Sequence, residues 1–518
     1  MPAPALYLPA RTSTYLSPER TVRVRPTSRS TMASILRPAD RPSPASAPGL
    51  AAEAARIFAA QQENRWRVAA TGARERAAKL ERLAGAIAAQ RGAIAAAAYA
   101  DFRKPAPEVE LTEIHPVLAE IQVSVRHLEA WMRPRPVATP LLLAGTASEV
   151  RSEPRGVVLI MAPWNYAFSL VVAPLVAAVA AGNCAVLKPS EKTPATSAFL
   201  KRFIAELFDE GEVAVVEGGA EAAEALLDLP FDHVFFTGGT RIGRAVMAAA
   251  ARHLASVTLE LGGKSPTIVD ETADVRAAAQ RVVWGKFVNA GQTCVAPDFV
   301  LVHASRAAAF VAEAKRALDA RYGPEGAARA ATPDFCRIVD AGHFARLVDV
   351  LDRAVAAGAV VETGGEREDG ERYLAPTILS AVTFDSPVME EEIFGPILPV
   401  LAYTDLDAAL VRLRALGKPL ALYLFSRSRH VVEHVLANTT AGGTSVNATM
   451  MHYGNPYLPF GGVGASGHGS YHGAYGFRAF SHERAVLRQR EPSLARFLFP
   501  PYRGLVHAIG RRFLRLLE

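Results

Sequence analysis

The sequence predicts an α/β fold in which a doubly wound parallel sheet is followed by a second α/β domain. Three observations carry that expectation. The 518-residue chain is too long for one ordinary core and suggests two or three domains. From Gly156 onward, short apolar runs alternate with helical stretches, the rhythm of parallel strands joined by crossover helices. After Glu260 the same rhythm begins again.

The elements follow in order. Residues 1–50 are rich in Pro, Ser, Thr, Ala and Arg and lack an apolar period, so they read as a disordered, dispensable leader. Their Arg-rich, acid-poor character also fits an organelle transit peptide, and Met32 offers an alternative start. Residues 51–132 are Ala-rich with few Gly or Pro and read as helical. Pro134, Pro136 and Pro140 break that pattern, and runs at 137–143 and 148–153 read as a hairpin. Strands are expected at 157–161, 185–188, 213–216 and 232–236, with helices at 168–181, 194–208, 220–227 and 240–253. The apolar helix at 168–181 is too short to span a bilayer and contains Pro174. Strands at 267–269 and 299–302 and a helix at 306–321 open the second domain, and 458–480 reads as structured loops.

At the end of the chain, Arg503, His507, Arg511 and Arg515 recur at i, i+4 with Val506, Ile509, Phe513 and Leu516 on another face. This is a basic amphipathic helix suited to a weak membrane-surface contact, a partner, or its own protein. The expected division is 51–133 with 155–258 as the first domain and 259–445 as the second. Segments 134–154 and 446–485 bridge them, and 486–518 form the tail.

Charge excludes one function class. The net charge is +6, but the leader carries +5 and residues 501–518 carry +3, leaving the body slightly acidic. No basic patch for nucleic acid is implied. Three cysteines cannot build a disulfide framework, so a reducing compartment, the cytoplasm, is expected. No Cys/His spacing suits a metal, and no metal site is expected.

The chemistry concentrates in a few strings. Cys294 ends Gly291-Gln292-Thr293-Cys294, and Glu260 lies upstream in Leu259-Glu260-Leu261-Gly262-Gly263. A thiolate attacks a carbonyl carbon, and a carboxylate activates water against the thioester that forms. Alone, such a cysteine is ordinarily a buried small hydrophobe. Its neighbours change that balance. Gly238, Gly239, Thr240 and Gly243 follow a strand and open a helix, where backbone amides meet a phosphate. Lys188 and Glu191 follow an inner strand, where they can bond ribose hydroxyls. Asn165, next to Trp164 at another strand end, can donate to an oxyanion. Glu392 and Phe394 pair an acid with an aromatic ring beside a turn.

Together and in this order, these strings resemble the aldehyde dehydrogenase superfamily over nearly all of residues 51–485. Leu458-Pro459-Phe460-Gly461-Gly462-Val463-Gly464 with Ser470-Tyr471-His472-Gly473 is similar to the class 3 branch. The resemblance implies a dinucleotide-binding domain, a catalytic domain and a small β oligomerisation extension. It assigns Cys294 as nucleophile, Glu260 as general base, and Asn165 with the Cys294 amide as oxyanion hole. Lys188 and Glu191 would hold the adenosine ribose, Gly238 to Gly243 the pyrophosphate, and Glu392 and Phe394 the nicotinamide end. Trp164 belongs to the same cofactor-binding set.

The implied reaction oxidises an aldehyde to the free acid through a thioester, on medium- or long-chain aliphatic or aromatic substrates, in a homodimer. NAD is expected because Glu191 bonds a free 2′-hydroxyl, with NADP left open. Ala167 departs from the proline usual there, and the tail lacks the longer hydrophobic end of membrane-bound members. Two other readings are a silent dinucleotide-binding or structural member and a thiol esterase. Loss of Cys294 or Glu260 would mark the first; the second leaves the ribose-binding set without purpose.

Overall fold

The computed structural model describes residues 48–140, 143, 145–489 and positions 499, 500, 504, 508 and 512. The leader reading up to residue 47 and the amphipathic face at 503–516 therefore lie outside the described residues. The first helix, Pro48–Ala69, begins just inside the segment read as leader.

Helices Ala73–Ala89, Arg91–Phe102 and His115–Met132 follow, as the alanine-rich pattern requires. Their apolar stripes, including Leu80, Leu83, Ile87 and Val117, are fully buried. Helices Ala73–Ala89 and His115–Met132 pack on the apolar helix Ser169–Ala181, every residue of which is buried. Burying each Leu, Ile or Val stabilises by about 1.5–3 kcal/mol. A single π turn, Glu110–Ile114, interrupts the series.

The first large sheet has the order Gly467–His468, Ser256–Glu260, His233–Thr237, Val157–Met161, Cys184–Lys188, Val213–Val215. All its pairs are parallel except the Gly467–His468 edge. The chain runs outward one way from Val157–Met161, then returns to its other side at His233–Thr237. That reversal is a topological switch point, and ligands bind outside the carboxyl ends of strands there.

The second sheet has seven strands in the order Val360–Thr363, Thr377–Ser380, Ile397–Tyr403, Phe299–His303, Pro266–Val269, Ala421–Phe425, Gly443–Val446. Only the Val360–Thr363 pairing is antiparallel.

The third sheet corrects the expected hairpin. Its strands are Arg135–Val137, Thr146–Pro154 and Ser481–Gln489, all antiparallel. Pro140 lacks the N–H a ladder needs, so the first strand stops at Val137. The last strand runs four residues into the segment read as tail. Thr146–Pro154 pairs with it along its whole length, which carries the strand through Gln489.

Candidate active site

Each site residue sits where an element ends. Strand Val157–Met161 closes into the turn bearing Trp164 and Asn165. Strand His233–Thr237 passes through Gly238 and Gly239 into helix Thr240–Arg252. Glu260 is the last residue of its strand. Helix Val275–Phe287 starts on Asp274, whose carboxylate accepts the Ala277 N–H at 3.0 Å. It ends in the turn Val288–Gly291, which delivers Cys294.

That turn is strained. Asn289 and Ala290 have φ of +55° and +51°, and each such residue costs about 1–2 kcal/mol. Asn289 Nδ2 donates to the carbonyls of Asn165 at 2.9 Å and Gln292 at 3.1 Å. Gln292 Nε2 donates to the Asn289 and Arg337 carbonyls at 3.1 Å each, and its Oε1 accepts the Val339 N–H. Side-chain amides thus stand in for a regular backbone ladder.

The ends converge on a cavity of about 220 Å³. Cys294, Glu260, Asn165, Trp164, Gly238, Gly239, Glu392 and Phe394 all line it. Glu260 is only 2% exposed, and neither carboxyl oxygen has a hydrogen-bond partner. Burial holds this carboxyl well above the ordinary carboxylate range. The Cys294 thiol is pushed up to about 12 by burial, then by the Glu392 and Glu260 charges. Asn165 Nδ2 donates to the Gln292 carbonyl at 3.0 Å, while its Oδ1 is buried without a partner.

A groove of about 520 Å³ adjoins the cavity and shares Trp164, Gly238 and Gly239 with it. Lys188 and Glu191 line its far part. Lys188 Nζ donates to the Pro189 carbonyl at 3.2 Å and to Glu191 at 3.3 Å. Glu191 is half exposed. These features fit a dinucleotide: bare glycine backbone at a helix N-terminus for phosphate, and a carboxylate with an ammonium for ribose hydroxyls. A Cβ at Gly238 would lie 2.5 Å from the Phe236 ring, so any larger residue there must displace that ring.

Two expected cofactor residues stand apart from that groove. Thr240 Oγ1 donates to the Ala465 carbonyl, and Thr240 lines a separate cavity of about 430 Å³. Gly243 packs on Leu261, where a Cβ would fall 2.6 Å from a methyl, so its bareness serves helix packing.

The loop carrying Glu392 and Phe394 is pinned by residues that sequence reasoning missed. Lys264 Nζ binds Asp298 at 2.6 Å and the Glu391 carbonyl at 2.8 Å. Asp298 accepts the Ile393 N–H at 2.9 Å, and Arg346 donates to the Ile393 carbonyl. His343 Nε2 lies 2.8 Å from the Phe394 carbonyl, and Trp164 meets Phe394 edge-on at 5.4 Å. Phe394 itself has φ +50°. The Glu392 carboxyl presses on Gly262, where a Cβ would sit 2.1 Å from it, and burial raises it to about 8. Lys286, fully buried and without a hydrogen-bond partner, is lowered to about 8. A lysine on an otherwise apolar helix face just before Cys294 was the available signal.

A parallel switch-point groove leading to a thiol and an unpartnered carboxylate defines a dinucleotide-dependent oxidoreductase. The aldehyde dehydrogenase family model matches residues 25–486, and the chain belongs to that family. It is 45% identical over 426 residues to the 4,4′-diaponeurosporen-aldehyde dehydrogenase of Staphylococcus aureus, covering 82% of this chain and 92% of that protein. It is 43% identical to aldehyde dehydrogenase family 3 member B1 of Rattus norvegicus, covering 82% and 90%. The solved substrate-bound Staphylococcus aureus AldH superposes with a TM-score of 0.84 at 42% identity, covering 89% of this chain and 99% of that one. An indole-3-acetaldehyde dehydrogenase solved with NAD+ gives 0.78 at 26% identity, covering 85% and 89%. The protein is an aldehyde-oxidising enzyme that uses a nicotinamide dinucleotide.

Asn165 yields a prediction here. Asn165→Ala should lower kcat by about 100- to 1,000-fold, the usual loss for one oxyanion donor. NAD affinity, measured by fluorescence titration, should stay within a small factor. An unchanged kcat would remove Asn165 from the oxyanion hole.

Proposed function

We propose that the enzyme converts apolar aldehydes to free carboxylic acids, with Cys294 as nucleophile and Glu260 as the base that releases the acid. The observation that carries this is Glu260: a buried carboxyl with both oxygens free, lining the same small cavity as the thiol. Stability alone would not leave such a group unpaired.

Cys294 gives up its thiol proton to water as its sulfur adds to the carbonyl carbon, and Asn165 with the Cys294 backbone amide receives the oxyanion. Bound nicotinamide dinucleotide supplies the hydride acceptor. Loss of hydride from the tetrahedral adduct leaves a thioester on Cys294. Glu260 then takes a proton from water, whose oxygen attacks the thioester carbon, and the thiolate departs. Glu392 and Phe394, fixed by Lys264, Arg346 and His343, position the nicotinamide end. Lys188 and Glu191 hold the adenosine ribose. Half-exposed Glu191 supports NAD over NADP, because a 2′-phosphate would meet its charge.

The Staphylococcus aureus relative named for a polyene aldehyde supports the apolar substrate class. Exposed Leu487 and Val137 on the three-stranded sheet support a homodimer through that sheet. Three free cysteines support a cytoplasmic placement. Among the described residues, no helix is long and apolar enough to cross a membrane; the basic tail is the proposed weak membrane contact.

The test is kcat/KM for aldehydes from acetaldehyde to dodecanal and benzaldehyde, with NAD and with NADP, followed at 340 nm. Values should climb with apolar size and favour NAD. A preference for short polar aldehydes would refute the substrate assignment.

A further inference from the structure

The segment from Lys104 to Glu113 holds both halves of the oxyanion hole, although it touches neither the thiol nor the dinucleotide groove. Glu113 lies on the π turn and receives Lys104 Nζ at 2.7 Å, a pair that is 0% and 3% exposed. Its other oxygen accepts the N–H groups of Phe168 at 2.9 Å and Ser169 at 3.3 Å, anchoring the turn that bears Asn165. Lys104 Nζ also sits 3.9 Å from the centre of the Tyr166 ring, whose hydroxyl lies 2.6 Å from Thr293 Oγ1. Glu108, in the short helix Ala106–Val109, reaches the opposite half. Its Oε1 accepts the backbone N–H of Asn289 at 2.9 Å.

Asn289 is the first of three consecutive left-handed residues, followed by Ala290 and by Gly291 at φ +73°. Such a conformation persists only where surroundings over-determine it. The Asn289 side chain is tied to Asn165 and Gln292, and its backbone N–H is tied to Glu108. Release of that N–H leaves the start of the loop held by its side-chain bonds and by one backbone bond, from the Gln292 N–H to the Asn289 carbonyl, four residues before Thr293 and five before the nucleophile.

We propose that Glu108 is a positioning residue that fixes the direction of the Cys294 thiol toward the oxyanion hole by accepting the Asn289 N–H. This rests on Cys294 being the nucleophile, which Cys294→Ala tests separately. The bland alternative is a packing role, for which any side chain of similar volume would serve. Burial raises the Glu108 carboxyl to about 7. Either protonation state keeps a lone pair for Asn289, so the acceptor matters and the charge does not.

Two full-length variants separate these accounts. Glu108→Met keeps volume and removes the acceptor; Glu108→Gln keeps the acceptor and removes the charge. Glu110→Gln, at a surface pair with Arg91, serves as control. The readouts are iodoacetamide alkylation of Cys294, located by peptide mass, together with kcat, NAD affinity and melting temperature. Glu108→Met should lose about 10- to 100-fold in alkylation rate and kcat, the scale of an ångström-level misplacement, with NAD affinity unchanged. Glu108→Gln should remain within about threefold of the parent. Parent-like alkylation and kcat in Glu108→Met would overturn the proposal. So would parallel losses of melting temperature and NAD affinity in both variants. If Glu108→Met does not fold, Glu108→Gln decides alone: a loss beyond about tenfold refutes the acceptor role.

Discussion

Cys294→Ala is expected to abolish steady turnover, with kcat falling by about 10,000-fold or more, the scale seen when a covalent nucleophile is removed. The lining of the cavity explains the size of the effect. Among the described residues that line it, Cys294 carries the one thiol, while Glu260 and Glu392 are both held above their ordinary range by burial. Neither carboxyl is built to form a stable adduct with an aldehyde. NAD binding should survive, because the groove with Lys188, Glu191 and the bare Gly238 and Gly239 does not depend on the thiol. Stopped-flow absorbance at 340 nm gives the rate, and fluorescence titration gives the affinity. Retained turnover would refute the nucleophile assignment.

Glu260→Gln should separate the two halves of the reaction. Hydride transfer precedes the need for a water-activating base, so the first turnover should remain fast. Steady turnover should fall by about 100- to 10,000-fold, the usual contribution of a general base. The trace should then show a burst of NADH close to one per active site, followed by a slow phase. The pH dependence carries a sign. Burial raises the Glu260 carboxyl well above its ordinary value, so the base form accumulates only as pH climbs through that elevated range. Parent deacylation should therefore rise with pH where an ordinary glutamate would already be flat. Glu260→Gln should lose that limb. A variant with no burst would place Glu260 before deacylation.

Much of this site was legible in the sequence because its residues lie at element ends that composition marks clearly. Asn165 follows an unbroken apolar strand, Glu260 closes another, and glycines announce Gly238 and Gly239 between a strand and a helix. Periodicity supplied the strands, and resemblance supplied the roles. What stayed hidden depends on distances between segments remote in the chain. Lys264, Arg346 and His343 meet the loop of Phe394 only after folding. Glu108 lies 181 residues before the N–H it accepts. Gly243 is ambiguous for a different reason. A glycine in the first turn of a helix looks the same whether it clears space for phosphate or for the Leu261 side chain. The third sheet was half legible. Prolines marked where the hairpin begins, but the Ser481–Gln489 strand depends on a partner more than 300 residues upstream.

The most direct test of the covalent pathway is peptide mass spectrometry of Glu260→Gln quenched in acid during the slow phase, after mixing with NAD and an apolar aldehyde. The expected result is an acyl increment, the substrate mass less two hydrogens, on the peptide carrying Cys294, at an occupancy matching the burst. A burst with no acyl group on that peptide, or with the group on Cys184 or Cys336, would contradict it.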